Sequence, residues 1–301
     1  MSVLIVGSLA YDDIQTPAVE KKGLLGGSAV YSSLTASFFS SVSIVGIVGG
    51  DFKEKDIQLL RSKKINLSGL EIVDKGKTFR WGGAYAQDMN ERKTLFTHLN
   101  VLENFSPKIP PHLKNSKYIF LGNNNPELQL DVIYQVNKPR IVVFDTMNLW
   151  INTSLKNLLK VLKLADVVLI NNEEAWMLSG GEKNLLKAGE ILLRKGAKRL
   201  IIKKGEHGCI MMNKNSIFML PAYPVKEIKD PTGAGDVFAG GFIGYLASAN
   251  KLTEANFKKA VVYGTIMASF TVEDFSIRRL KNLTRKEVDD RVKSFRSMIQ
   301  F

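Results

Sequence analysis

Six short, nearly unbroken apolar runs punctuate the chain, at 3–6, 43–48, 118–121, 141–144, 167–170 and 200–202. Runs of this length, rich in Val and Ile, predict strands buried on both faces. Most stop at a small or polar residue: Gly7, Gly122, Asp145, Asn171 and Lys203. Between the runs, apolar positions recur at helical spacing around 56–60, 128–136, 155–162, 185–193, 255–270 and 286–298. Buried strands alternating with helices predict an α/β fold with a largely parallel sheet covered on both sides, and ligands at the carboxyl ends of its strands. With no internal repeat, low-complexity tract or linker, residues 1–301 are expected to form one domain.

One region breaks this rhythm. Segments 78–86 and 93–98, with Trp81, Tyr85 and Phe96, flank the polar turn 88–92 and predict an antiparallel hairpin. Such a hairpin needs something to cover. Its aromatic residues can serve substrate contact, a second subunit or plain packing.

The stretch with the clearest chemistry is Asp230-Pro231-Thr232-Gly233-Ala234-Gly235-Asp236, which runs into Val237-Phe238-Ala239-Gly240-Gly241-Phe242. Phe238, Phe242, Tyr245 and Leu246 recur at helical spacing, with Asn250 as the expected stop. The first N–H groups of a helix lack internal acceptors and sit at its positive end, so small residues there open an anion cradle. Asp236 falls in the first turn, where its carboxylate can take a proton from a hydroxyl held beside the anion. Gly240, Gly241 and Gly244 inside the helix each cost about 0.8–1 kcal/mol relative to alanine, so another backbone is expected to pack closely on it.

All thirteen positions from Asp230 to Phe242 resemble the C-terminal signature of the PfkB (ribokinase-like) carbohydrate and nucleoside kinases. The resemblance implies that Asp236 is the catalytic base, that the Gly233, Ala234 and Gly235 amides form the anion hole, and that Thr232 lies on the nucleotide side. Gly26-Gly27-Ser28-Ala29-Val30-Tyr31-Ser32-Ser33, with Ser40, Gly49 and Gly50 following, is similar to the family's N-terminal signature with one departure. Tyr31 stands where the family usually has a sugar-binding Asn, which puts the substrate in doubt and not the fold. A backbone without side chains at Gly26 and Gly27 can lie against a sugar and offer it N–H donors. Gly7-Ser8-Leu9-Ala10-Tyr11-Asp12 resembles the family's first strand and turn, where an Asp holds two sugar hydroxyls. Asp12 takes that role by the resemblance, with adjacent Asp13 as the alternative.

On the nucleotide side, Asn171-Asn172-Glu173-Glu174 is similar to the family's Asn-x-x-Glu element, which implies Asn171 near the phosphates and Glu174 organising Mg2+ through water. Asn171 as a helix cap reads the same residues another way. Lys203-Lys204-Gly205-Glu206-His207-Gly208 occupies the place of the Thr-x-Gly-x-x-Gly nucleotide loop, keeping Gly205 and Gly208 but replacing Thr with Lys203. That lysine can reach a phosphate as a point charge or simply decorate the surface. Asp145-Thr146-Met147-Asn148-Leu149-Trp150 resembles the family's Asp-x-Asn-x-Trp neighbourhood, from which Asn148 is carried to the substrate side.

The family implies a three-layer sandwich with a small β-sheet lid, here from about 11–24 and 74–100, that closes over the sugar and often mediates dimerisation. It implies ATP and Mg2+, and leaves a monovalent cation such as K+ open. The expected reaction moves the γ-phosphate of ATP to a primary hydroxyl of a sugar or nucleoside. A phosphosugar kinase using Lys77, Arg80, Arg92 or Lys93, and a nucleotide-binding regulator without catalysis, are the alternatives.

Composition changes this picture little. A net charge of +13 invites a nucleic-acid partner, but the basic residues are dispersed in short pairs such as Lys63-Lys64 and Arg278-Arg279, and no nucleic-acid partner is expected. Cys209 is the single cysteine, in an apolar run that reads as core, and His98, His112 and His207 lack metal-ligand spacing. No run looks like a membrane span or a signal peptide, so a cytoplasmic location is expected.

Overall fold

The computed structural model describes residues 1–89 and 91–300; Asn90, within the turn expected at 88–92, lies outside the described residues, as does Phe301. The first third of the chain contains β1 (Ser2–Val6), β2 (Ala10–Gln15), β3 (Glu20–Gly26), α1 (Ser28–Ala36), β4 (Ser41–Gly49), α2 (Glu54–Ser62), β5 (Ile65–Val73), β6 (Phe79–Tyr85) and β7 (Arg92–His98). The middle contains β8 (Tyr118–Leu121), α3 (Pro126–Gln135), β9 (Ile141–Asp145), α4 (Asn148–Thr153), α5 (Leu155–Leu164), β10 (Val167–Asn171), α6 (Asn172–Ser179), α7 (Leu185–Arg194) and β11 (Arg199–Lys203). The remainder contains β12 (Cys209–Asn213), β13 (Ile217–Leu220), α8 (Ala234–Ala249), α9 (Glu254–Thr271), α10 (Arg278–Asn282) and α11 (Arg285–Ile299).

Nine strands form the central sheet in the order β13-β12-β11-β10-β9-β8-β1-β4-β5. All pairs from β11 to β5 are parallel, while β12 and β13 close one edge antiparallel. The six apolar runs are β1, β4, β8, β9, β10 and β11, buried on both faces by helices as their continuous hydrophobicity requires. One core lies between the sheet and α1, α8 and α9; the other lies between the sheet and α3, α5, α6 and α7. The chain leaves β1 toward β4 and β5, then returns to lay β8 against its other side. Strand order therefore reverses at β1, and a crevice opens beyond the strand ends there.

The second sheet has the order β3-β2-β6-β7, with β6 and β7 forming the expected antiparallel hairpin. Cross-strand partners share a face, so Asp12, opposite Trp81, lies on one face and Asp13, opposite Gly82, on the other. Among the described residues no helix is long and apolar enough to cross a membrane.

Candidate active site

Gly233 caps α8 with φ +77°, a left-handed value that favours glycine, and Ala234, Gly235 and Asp236 form the first turn. The Ala234 N–H is taken by the Pro231 carbonyl at 3.2 Å, and the Val237 N–H by Gly233 at 2.9 Å. Among the described residues the Gly235 and Asp236 amides have no such acceptor outside the helix, so the open part of the cradle is centred on Gly235. Asp230 fixes the approach: its Oδ1 accepts from the Thr232 N–H at 2.9 Å and its Oδ2 from the Ser276 N–H at 3.0 Å. The three helix glycines do face other backbones. A Cβ at Gly240 would lie 2.8 Å from Ser32 Cα, one at Gly244 2.9 Å from Ala36 Cα, and one at Gly241 3.1 Å from Gly264 Cα. Helix α8 is thus wedged between α1 and α9, which sets the cradle against α1.

That wedge brings in the residues expected on the acceptor side. Tyr31, on α1 and buried, lies against the cradle so closely that a Cβ at Gly233 would be 2.6 Å from its Cζ. Asp12 is buried beside Gly26, whose missing side chain leaves room for the carboxylate, and Gly27, at φ +95°, lets the chain turn past Leu9 into α1. Burial first, then the nearby carboxylates of Asp230, Asp236 and Asp13, holds the Asp12 carboxyl well above its usual range. The two neighbouring acids lie on opposite faces of the small sheet. Asp13 points to the other face, accepting from the Gly23 N–H at 2.7 Å and pairing with Arg80 at 2.9 Å.

The cleft face of the small sheet carries Trp81, Tyr85 and Arg92. Tyr85 shares a hydrogen bond of 2.9 Å with Thr232 Oγ1, tying the sheet to the cradle loop, and Arg92 lies 5.1 Å from the Trp81 ring centroid. Phe96 sits instead against Gly82 on the opposite face, where a cavity of about 610 Å3 is lined by Asp13, Lys77, Arg80 and His98. Of the four cations considered for a phosphosugar, Lys77 and Arg80 line that outer cavity, and Lys93 pairs with Ala84 on that side. Arg92 faces the cleft.

The residues expected on the donor side sit at or just past strand ends. Asp145, Asn171 and Lys203 end β9, β10 and β11, Asn171 opposite Lys203 and Asp145 opposite Leu169, two residues short of that level. Lys203 is no surface lysine: its Nζ pairs with Asp145 Oδ2 at 3.0 Å and lies 3.0 Å from where a Cβ at Gly235 would be. Asn171 does cap α6. Its Oδ1 accepts from the Glu174 N–H at 2.8 Å, while Glu174 accepts from the Asn171 backbone at 2.8 Å and side chain at 2.9 Å. Gly205 and Gly208 sit in a tight turn after β11 with φ of +55° and +78°. Asn148 starts α4 with its Oδ1 on the Leu149 N–H at 2.9 Å, and none of its described contacts reaches Asp12, Tyr31 or Asp236.

Charge is concentrated here. Burial, then the Asp145 carboxylate, pushes Asp236 up to about 7 against the opposing pull of Lys203 and Arg92. Burial and Asp145 push Glu174 up to about 8. Burial works against the Lys203 ammonium, but Asp145 and Glu174 outweigh it and leave its pKa above the usual value. A carboxylate titrating near neutrality beside an anion cradle is suited to take a proton at physiological pH.

Sequence reasoning did not assign roles to Asp145 or to the Tyr85–Thr232 bond. Asp145 carried a signal, as a polar residue ending a buried run, but its partner is distant in sequence and only the parallel register joins them.

A family model described as pfkB family carbohydrate kinase matches residues 21–282. A cytidine kinase from Thermococcus kodakarensis is 28% identical over 84% of this chain and 91% of its own length. The crystal structure of the Methanocaldococcus jannaschii nucleoside kinase, an archaeal member of the ribokinase family, superposes with a TM-score of 0.80 at 22% identity, covering 97% of this chain and 98% of that one. A protein from E. coli described as a ribokinase II, in complex with ATP and Mg2+, superposes at 0.80 with 19% identity over 97% and 99% of the two chains.

Proposed function

Because the chain belongs to the pfkB family of carbohydrate kinases, we propose that it transfers the γ-phosphate of ATP to the primary hydroxyl of a nucleoside, with cytidine the first acceptor to try. The observation that carries this reading is the convergence of Asp12, Tyr31, Gly233 and Asp236 on one cleft beyond the strand ends. Asp12 holds ribose hydroxyls, and the Gly26-Gly27 turn backs it. The aromatic faces of Trp81 and Tyr85, on the same side of the small sheet as Asp12, favour a base attached to that ribose. Arg80 is occupied by Asp13 on the far face, which favours an acceptor without a phosphate.

ATP lies along the loops after β10 and β11, with Lys203 and the turn of Gly205 and Gly208 on its phosphate side. The donor set fits Mg2+, which keeps several waters and borrows few protein oxygens: Glu174 is a buried carboxylate in the first turn of α6, and each oxygen keeps a lone pair beyond its bond to Asn171. When bound, the ion neutralises phosphate charge. Asp236 accepts the proton of the attacking hydroxyl, and the Gly235 end of the cradle receives the charge of the migrating phosphoryl group. Tyr85 on Thr232 holds the small sheet down as a lid, so that water is kept from the phosphate. A homodimer through this sheet is compatible with the same reading, which leaves a monovalent cation such as K+ open.

The test is ADP release across a panel of cytidine, other nucleosides, ribose, fructose and phosphosugars. Turnover with nucleosides above all is the expected result. Turnover confined to a phosphosugar would replace the acceptor, and ATP binding without turnover on any acceptor would leave a nucleotide-binding regulator.

A further inference from the structure

We propose that Asp145 is a positioning residue for this reaction, holding the Lys203 ammonium at the Gly235 end of the anion cradle so that the migrating phosphoryl group meets a positive charge already in place. The inference rests on the kinase reading above. It concerns a residue to which neither the motifs nor the family match assigns a role.

The ion pair bridges across the end of β10. Asp145 is the last residue of β9 and Lys203 the last of β11, and their side chains meet over the strand between them, with Oδ2 to Nζ at 3.0 Å. Both are sheltered, at 8% and 18% side-chain exposure, so the pair is little screened by water. The carboxylate is itself held in place. Its other oxygen accepts from the Thr146 N–H at 2.9 Å, and Gln129 Nε2 donates to the Asp145 carbonyl at 3.0 Å and to the Gly122 carbonyl at 3.0 Å. A lysine on a four-carbon stem loses much rotamer freedom when fixed, and Asp145 fixes it before any ligand arrives.

The direction of that fixing matters more than the pairing. An ammonium has three donors, and among the described residues Asp145 takes one while the nitrogen lies 3.0 Å from where a Cβ at Gly235 would be. The remaining donors are therefore available beside an amide of the cradle. The local charge is also unbalanced. Asp145, Glu174 and Asp236 put three carboxyl groups around one lysine, with Arg92 reaching in from β7. A buried pair kept only for stability gains little over apolar residues of similar size, whereas a site built to receive phosphate needs the cation oriented toward it. Lys203 stands where the resembled motif has Thr, whose short hydroxyl does not span from β11 to Asp145. Asp145 makes that substitution workable.

Asp145 has a second effect on the same chemistry. The groups facing Asp236 are Asp145 and Lys203 from the strand ends, Arg92 from β7, Asp12 from β2 and Tyr31 from α1. Among the charges acting on the base, Asp145 is the largest, and it raises the base toward neutrality. Removing it strips that charge, which lowers Asp236, while a Lys203 that swings away gives back part of the fall; Asp145 acts more strongly on the base than Lys203 does, so the net shift is downward.

The experiment is Asp145→Asn in the full chain, read in three ways. Titration of the Asp236 carboxyl by 13C NMR should show its midpoint falling below about 7. The acidic limb of the kcat–pH profile with cytidine and MgATP should move to lower pH, and kcat at pH 8 should fall ~10-fold or more with little change in the acceptor KM. Lys203→Met should move the Asp236 midpoint the opposite way, upward, and weaken MgATP binding by calorimetry. An Asp236 midpoint unmoved by Asp145→Asn, or a kcat lowered equally at every pH, overturns the proposal and leaves Asp145 as packing. Should Asp145→Asn fail to fold, Lys203→Met decides: no upward shift and unchanged MgATP affinity overturn it. If no acceptor is turned over, the kinase reading fails on its own, while the NMR midpoints of the two variants still judge Asp145.

Discussion

At the scale of single residues, the site depends on how far one carboxylate is kept from ionising. Burial and Asp145 push Asp236 up to about 7, so in the proposed reaction it serves as a base only as pH rises through that value. The rate of transfer should climb between pH 6 and 8 with a midpoint near 7 and then level off, as a stopped-time assay of ADP would show. The same shift affects stability with the opposite preference. The folded protein binds this proton more tightly than the unfolded chain does, so stability falls as pH rises from about 4 to about 7. Asp236→Asn should therefore unfold at a higher temperature than the wild type at pH 8, and the difference should vanish near pH 4. Tyr31 permits a finer probe. Tyr31→Phe keeps the ring against Gly233 and removes only the hydroxyl, so a rise in acceptor KM of about 5- to 10-fold, with stability little changed, is expected if that hydroxyl binds the substrate. Asp236 and its cradle were legible in sequence because their chemistry is contiguous along the chain. Lys203 was named from its motif, but its pairing with Asp145 was not legible, since a parallel sheet brings together residues that no local spacing relates.

At the scale of elements, helix α8 is the joint between fold and site. Its glycines bring α1 within backbone contact, and α1 in turn delivers Tyr31 to the cradle. A side chain at Gly240 has to displace Ser32, so Gly240→Val should cost about 1–3 kcal/mol by overpacking and also raise the acceptor KM, measured by thermal unfolding and initial rates. This close approach was readable from the sequence, because three glycines in an otherwise apolar helix have no other physical use. Strands buried on both faces were equally readable. Those of the small sheet were harder: β3 reads Glu-Lys-Lys-Gly-Leu-Leu-Gly, a half-exposed pattern without a continuous apolar run. Edge strand β5 is interrupted by Ser68-Gly69, and α1 hides in a Ser-rich stretch of low helix propensity, whose buried Ser32 and Thr35 hydroxyls are satisfied by backbone carbonyls one turn earlier.

At the scale of the whole molecule, the Tyr85–Thr232 bond is where the smaller sheet touches the loop that leads into α8. Loss of that bond in Tyr85→Phe should let water compete for the phosphoryl group. The ratio of acceptor-independent ATP hydrolysis to transfer should rise several-fold while ATP binding holds. The dispersed charge of +13 adds a positive field that favours the approach of an anionic nucleotide, an effect that salt should weaken. The central claim is that Asp236 serves donor and acceptor in one pocket. Its most direct test is single-turnover transfer from [γ-32P]ATP to cytidine by Asp236→Asn beside the wild type, with MgATP affinity measured on the same samples. The account predicts unchanged affinity and a transfer rate lower by about 10²- to 10⁴-fold, without the rise through pH 7. Transfer at near wild-type rate, with that rise intact, would contradict it.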